Sequence, residues 1–433
     1  MDSLRVILHL GTEKTGSTSI QAFMHLNQQG LAVLGYAYYS TPNRSDARGL
    51  SAAALDSKSS DDFLRNSGIE SIEEREAFRQ SVVEDLGAFF TCLPKSVHTV
   101  VISSEHFHSR LRSPAPIDWL VRSIEQFAKQ IQALVYLRPQ IDLAGSYYST
   151  ALKTGSFVEL QTFVVKGCTP DNHYYNYARF LELWGSRIGK ENLCVRRFGR
   201  SHLFQGDLVS DFCEAIGLPS REAKMLQRPE KLNESLTPLG QRLLRILNIN
   251  HYRVVDVSVE SARNIERIRN LVVSHFPGTG ELMPAVLALS LQSTFDHVNE
   301  TVRSTFFEES DALFEQVRVV PDDENALLQV TASQLHTLEQ VFEVAQYGKD
   351  PLALELLDGV AVQLRDFGLK IAAANPQYAL RVLKLALRIR PTGFRIRKGI
   401  EALEASAPTW RVYYNSSLRF VKASCAKILA LYR

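Results

Sequence analysis

Apolar and polar positions alternate in blocks along the first half of the chain. Short apolar runs fill residues 5–10, 99–103, 132–138 and 193–198. Runs this short, bounded by turn-forming residues, read as buried strands. Between them lie segments with apolar residues three and four apart, as at Ile20, Phe23 and Met24. That spacing predicts helices over 17–29, 73–90, 117–129, 146–153, 177–188 and 208–216. Gly155 and Gly217 follow two of them as stop signals. Strands alternating with helices predict an α/β fold, a parallel sheet with helices on its faces. Residues 40–75 are rich in Ser, Asp, Asn and Arg and read as surface loop with some helix.

Beyond Asn233 the strand signal fades. Helical spacing continues over 236–248, 265–273 and 295–307, then over 327–345, 352–373, 378–388 and 396–405. Two regions are expected: an α/β domain over 1–320 and an all-helical C-terminal region with a basic tail over 321–433. Residues 375–391 resemble one helical-repeat unit, but one unit makes no solenoid, and a plain helical bundle is the reading adopted.

Composition changes this picture little. Of 433 residues, 45% are hydrophobic and 22% charged, which excludes a disordered, collagen-like or disulfide-scaffold chain. The five cysteines are scattered, with no CxxC pair, so neither a zinc site nor an oxidising compartment is expected. No apolar run reaches the ~18 residues of a membrane span. Residues 4–8 are too short an apolar run for a signal peptide, so a cytoplasmic location is expected.

Charge changes it more. The net charge of +2 is a cancellation: residues 377–433 hold twelve Lys/Arg against Glu401 and Glu404, a balance of +10, and the remainder carries −8. From Trp410 onward five cations are interleaved with Trp410, Tyr413, Tyr414, Leu418, Phe420 and Val421, without an acid. Such a tail fits peripheral contact with an anionic membrane, an acidic polymer, or docking on the acidic first domain. Nothing points to nucleic acid.

Three segments carry candidate chemistry. The first strand opens into Gly11-Thr12-Glu13-Lys14-Thr15-Gly16-Ser17-Thr18 and then a helix. Loop amides and a helix N-terminus make an anion site. This is not a Walker A loop, which needs Lys directly after its second Gly; here Ser17 stands there and Lys14 precedes Gly16 by two. Lys14 therefore approaches an anion from the loop, and magnesium coordination in the Walker manner is not predicted. The competing reading is an ordinary strand-to-helix turn. In the second segment, Arg138 ends the third strand and Ser146 follows eight residues later. An Arg fork suits phosphate, though a strand-end Arg also serves as a plain surface residue. Two anion sites at strand ends of one sheet match a ligand with two separate phosphates. In the third, Ser103-Ser104-Glu105-His106-Phe107-His108 puts a carboxylate and two imidazoles at the same edge, each able to act as a general base. Alternatively, Glu105 is only a helix-start acid.

In this order, the three pieces resemble the PAPS-dependent sulfotransferase family, in its bacterial, carbohydrate-sulfotransferase-like branch. Lys14-Thr15-Gly16-Ser17-Thr18 is similar to that family's loop for the 5′-phosphosulfate, and Arg138 through Ser146 to its 3′-phosphate motif. Ser104-Glu105 stands where the glycan-modifying enzymes carry a catalytic Glu, while the cytosolic small-molecule branch uses a His. Softer likenesses lie at 192–198, at 208–218, at Asn233-Glu234-Ser235 and at 299–314, so the resemblance spans about residues 1–316. It implies a P-loop-containing nucleotide-binding fold with a central parallel sheet, and transfer of a sulfuryl group from PAPS to a hydroxyl or amine, without a metal. The acceptor would be a saccharide or glycolipid. Lys14, Glu105 and His106 would be catalytic; Lys14, Thr15, Gly16, Ser17, Thr18, Ser19, Arg138 and Ser146 would bind the donor. His173, Tyr174, Tyr175 and Trp184 would either stack on a sugar or fill the core. Two other readings stand beside this one: a non-catalytic scaffold of the same fold, and a P-loop kinase-like phosphotransferase.

Overall fold

The computed structural model describes residues 4–56, 59, 61–230, 235–253, 259–314, 317–319 and 329–405. The basic tail from 406 onward, Asn233 and Glu234 lie outside the described residues. The chain divides into two compact units: residues 1–148, 159–233 and 282–320, and residues 149–158, 234–281 and 321–433. Segments 149–158 and 234–281, counted with the α/β part in the sequence, thus group with the C-terminal helices.

The first unit is a mixed α/β structure built on five strands: β1 (Arg5–His9), β2 (Tyr36–Tyr39), β3 (Thr99–Ser103), β4 (Gln130–Leu137) and β5 (Leu193–Arg197). All pairs are parallel, in the order β2-β3-β1-β4-β5. Central β1 places Arg5 beside both Thr99 and Gln130. A parallel sheet covered on both faces needs strands that are apolar throughout, and all of β3 is buried. This is why the runs were readable. Strand β2 was not predicted: Tyr-Ala-Tyr-Tyr lacks an aliphatic run. Its tyrosines bury their rings and carry their hydroxyls to polar partners, Tyr38 donating to the Ser45 carbonyl at 2.6 Å and Tyr39 to Asp85 at 2.7 Å.

One core cluster joins Ile7, Val101, Leu134 and Tyr136 of the sheet to Ile20, Phe23 and Met24 of the helix Ser17–Leu26 and to Val209, Phe212 and Ile216. Residues 40–75 depart from the surface loop expected of them. The helix Arg48–Ala54 is wholly buried. Arg48 reaches Asp61 at 2.5 Å and Asp62 at 3.1 Å, and Arg110 reaches the same two acids at 3.3 and 3.1 Å. Part of the polar composition thus serves an ion-pair network around the buried Arg48–Asp61 pair, because charges leave water only when paired.

The second unit, taken by itself, is helical. Pro238–Tyr252 is its most buried helix, with Leu243, Leu244, Ile246, Leu247 and Ile249 all covered, as befits a helix apolar on more than one face. Val259–His275, Ala332–Gly348, Pro351–Ile371, Pro376–Ile389 and Phe394–Ala405 complete it. Local chemistry sets their starts: Thr331 forms a capping box with Gln334, and Asp350 and Asn375 each cap a helix whose first residue is Pro. Gly368 lets Pro351–Ile371 approach Leu383 closely; a Cβ there would fall 2.8 Å from the Leu383 Cγ. Among the described residues no helix is long and apolar enough to cross a membrane.

Asp211 is a buried carboxylate that ties several elements of the first unit together. It is fully buried and accepts from Arg196 Nε at 2.6 Å and Nη2 at 2.7 Å, from the Tyr136 hydroxyl at 2.8 Å and from the Phe204 amide at 2.7 Å. It fastens β4 and β5 to the helix Leu208–Ala215. Breaking a buried pair strands its other charge at about 3–5 kcal/mol. Asp211→Ala is expected to lower unfolding stability by about that much, read from urea denaturation midpoints; a loss below ~1 kcal/mol would mean that Arg196 finds water instead.

Candidate functional site

The first strand ends at the centre of the sheet, where the chain order reverses between β1 and β4. Open α/β sheets bind ligands at this place. The loop that follows is tight: Lys14 (φ 65) and Gly16 (φ 83) both lie in the left-handed region. A glycine adopts this freely, a lysine uncommonly. Three side-chain bonds hold the turn. Thr12 Oγ1 donates to the Tyr136 carbonyl at 2.5 Å, Thr15 Oγ1 to the Thr12 carbonyl at 2.6 Å, and Arg138 Nη1 to the Lys14 carbonyl at 2.8 Å. Gly16 is the N-cap of Ser17–Leu26, and no side-chain bond caps this helix among the described residues. An uncapped first turn leaves its leading amides, as at Ser17 and Thr18, as donors of the kind that can meet an anion. The Ser19 amide is already bonded to the Gly16 carbonyl at 3.0 Å.

Arg138 sits at the C-terminal end of β4 and is only 6% exposed. Its guanidinium lies 5.5 Å from the Phe198 ring centroid, and its buried Nε has no hydrogen-bond partner. Among the described residues no carboxylate forms an ion pair with it. Burial lowers its pKa, and the field of Asp142 partly restores it. A buried guanidinium with an orphaned N–H and no paired acid has the donor set for a phosphate. Ser146 lies on the following helix, Gln140–Lys153, and is partly buried. The structure thus brings Lys14 and Arg138 together through the loop backbone, which Arg138 helps to hold.

Glu105 stands at the start of the short helix His106–Arg110 after β3, against the same loop: a Cβ at Gly11 would lie 3.6 Å from the Glu105 Cα. Its Oε2 accepts from Gln21 Nε2 at 3.0 Å, and Gln21 also reaches Ser103 Oγ at 3.3 Å. Burial raises the Glu105 pKa; the Gln21 bond opposes this, and the nearby Asp46 carboxylate adds to it. Burial, with Arg48 and Arg110 beside it, pushes His106 down to about 3, so its imidazole is neutral near pH 7. Donor atoms of Asp46, Glu105 and His106 all lie within 4.8 Å of one another. That donor set suits a divalent cation, but Arg44 already bonds Asp46 at 2.6 Å and Gln21 bonds Glu105.

Of the two readings of the aromatic group, sugar platform or core, the interior placement fits the core. Trp184, Tyr175, Tyr174 and His173 are all buried. His173 and Tyr174 pack against His108, with ring centroids 6.2 and 4.9 Å away. Sequence reasoning missed Gln21, Asp46 and Glu13. The signal for Gln21 was a polar residue inside the apolar stripe Ile20, Phe23 and Met24. For Glu13 there was only its place in the loop, from which its charge acts on Tyr147, Tyr174, Arg110 and Arg112.

No family model and no curated protein matches this chain. Among solved structures it is similar to a sulfotransferase from Alicyclobacillus acidocaldarius, at 13% identity and a TM-score of 0.37, over 71% of this chain and 96% of that one.

Gly16 has two reasons to be glycine. A side chain there would be strained at φ 83, and its Cβ would run into Leu208 Cδ2. Gly16→Ala is expected to lower stability by about 1–2 kcal/mol from backbone strain alone, measured by chemical denaturation; an unchanged midpoint would show that the loop relaxes out of the left-handed turn.

Proposed function

We propose that the protein is a sulfotransferase that moves a sulfuryl group from PAPS to a hydroxyl or amine of a saccharide or glycolipid. The reading rests on one observation: the left-handed Lys14–Gly16 turn, its uncapped helix and the buried, unpaired Arg138 meet at one sheet edge, with Glu105 beside them. Arg138 fits the donor on its own geometry, through its orphaned Nε. When bound, PAPS supplies the sulfuryl group and leaves as 3′-phosphoadenosine 5′-phosphate.

The chain's residues divide the remaining work. Amides of Ser17 and Thr18 and the Lys14 ammonium hold the 5′-phosphosulfate oxygens, and Lys14 stabilises negative charge that grows on the departing phosphate oxygen. Arg138, with Ser146, holds the 3′-phosphate. Glu105 takes the acceptor proton, freeing the electron pair that attacks sulfur. The contrast between Glu105, raised in pKa, and His106, held near 3, supports Glu105 as the base. Gln21 orients its carboxylate. Burial first, and then the field of Asp46, keep the basicity of Glu105 high.

Binding and turnover test separate parts of this reading. In thermal-shift titrations, 3′-phosphoadenosine 5′-phosphate should stabilise the wild type without magnesium. Arg138→Ala should weaken that binding. Stabilisation by magnesium–ATP alone would favour a phosphotransferase, and stabilisation by neither a scaffold. In assays with labelled PAPS and a panel of glycan and glycolipid acceptors, Lys14→Ala should cut turnover ~10²–10³-fold; full activity would remove Lys14 from the mechanism.

The pH profile tests the base. Glu105 must be deprotonated to act, so kcat/KM should fall as pH drops through its pKa, which lies above the ordinary range of about 4.3. Gln21→Ala removes a bond that lowers this pKa, so the acidic limb should move to higher pH. An unmoved limb would detach Gln21 and Glu105 from the proton transfer.

A further inference from the structure

The positive charge of residues 377–433 has no part in the site above. Much of it lies on the described surface of the second unit. The helix Phe394–Ala405 buries Ile396, Gly399, Ile400 and Leu403. A Cβ at Gly399 would fall 2.6 Å from Leu369 Cδ2, so this side is closed by protein. The other side starts with Phe394, Arg395, Arg397 and Lys398, all exposed. Phe394 is 65% exposed, and the Lys398 ammonium lies 4.7 Å from its ring centroid.

Three of the four preceding cations are matched by acids: Lys384 with Glu404 at 3.0 Å, Arg388 with Glu343 at 3.8 Å and Arg390 with Asp358 at 3.3 Å. Among the described residues no carboxylate pairs with Arg395, Arg397 or Lys398; Arg397 donates instead to the Pro391 carbonyl. The chain then runs into residues 406–433, where five more cations and Trp410, Tyr413, Tyr414 and Phe420 follow without an acid from Trp410 onward.

Unpaired cations around an exposed aromatic ring match one chemistry in particular. Anionic headgroups meet the cations, while the ring enters the boundary between headgroup and acyl chain. Duplex nucleic acid would meet the cations through its phosphates and leave Phe394 in water. We propose that this corner of Phe394, Arg395, Arg397 and Lys398 is a docking surface for an anionic membrane leaflet. The inference does not depend on the sulfuryl-transfer reading, since vesicle binding and nucleotide binding are measured separately.

The test is vesicle sedimentation of the full chain at about 0.1 M salt, where charges still act over ~10 Å. The protein should sediment with phosphatidylcholine–phosphatidylserine vesicles, remain in solution with phosphatidylcholine alone, and be released near 1 M salt. The variant R395E/R397E/K398E should bind at least about tenfold more weakly, with its response to 3′-phosphoadenosine 5′-phosphate unchanged. Should that variant misfold, R395Q/R397Q and Phe394→Ser must each still weaken binding. Equal binding to neutral vesicles, insensitivity to these substitutions, or displacement of the vesicles by duplex DNA would overturn the proposal, the last in favour of a nucleic-acid partner.

Discussion

Strand β4 holds the loop between β1 and its helix, and the candidate site depends on that hold. A loop with two left-handed residues in three positions has no reason to persist by itself. Here the carbonyl of Tyr136 accepts from Thr12, and the guanidinium of Arg138 donates to the carbonyl of Lys14. Both residues belong to β4 or its end, so register between adjacent strands becomes loop geometry. The helix amides then point where they do because the sheet is paired as it is.

The same strand anchors a buried polar network. Tyr136 uses its carbonyl for the loop and its hydroxyl for Asp211. Asp211 in turn takes both donors of Arg196 and the Phe204 amide. A buried network is favourable only when every member is met, and this one links the loop to β5 and to the helix behind it. A second network pairs Arg48 and Arg110 with Asp61 and Asp62; beside it burial, helped by the two guanidiniums and opposed by the two carboxylates, holds the His106 pKa low. The two flanks of the site are thus fixed by charge pairing as much as by apolar packing.

What the sequence disclosed follows from the kind of signal each part emits. Four of the five strands were legible because buried parallel strands are aliphatic throughout, and most helices because an apolar stripe repeats. β2 escaped notice because three tyrosines do not look like a core run until their hydroxyl partners are known. The region 40–75 was misread for a related reason: Arg48 and Asp61 are hydrophilic in sequence and fully paired in space. The loop and Arg138 were legible as motif residues, but not the bond between them, which joins positions 124 residues apart. Of the residues that shape the environment of Glu105, Gln21 shows only as a polar break in an apolar stripe, and Asp46 carries no local signature. The aromatic residues near 174 read equally well as ligand platform or as core, and only burial separates the two.

Gly16 and Leu208 share one small volume. The space a β-carbon would need at the first position is occupied by the methyl group of the second. The two sites are therefore not independent letters of the sequence. Whatever bulk one may carry is conditional on the other, across nearly two hundred residues of chain. In any collection of descendants of this protein, drift at position 208 is silent only while position 16 stays bare. The left-handed turn thus owes its permanence in part to a leucine far along the chain.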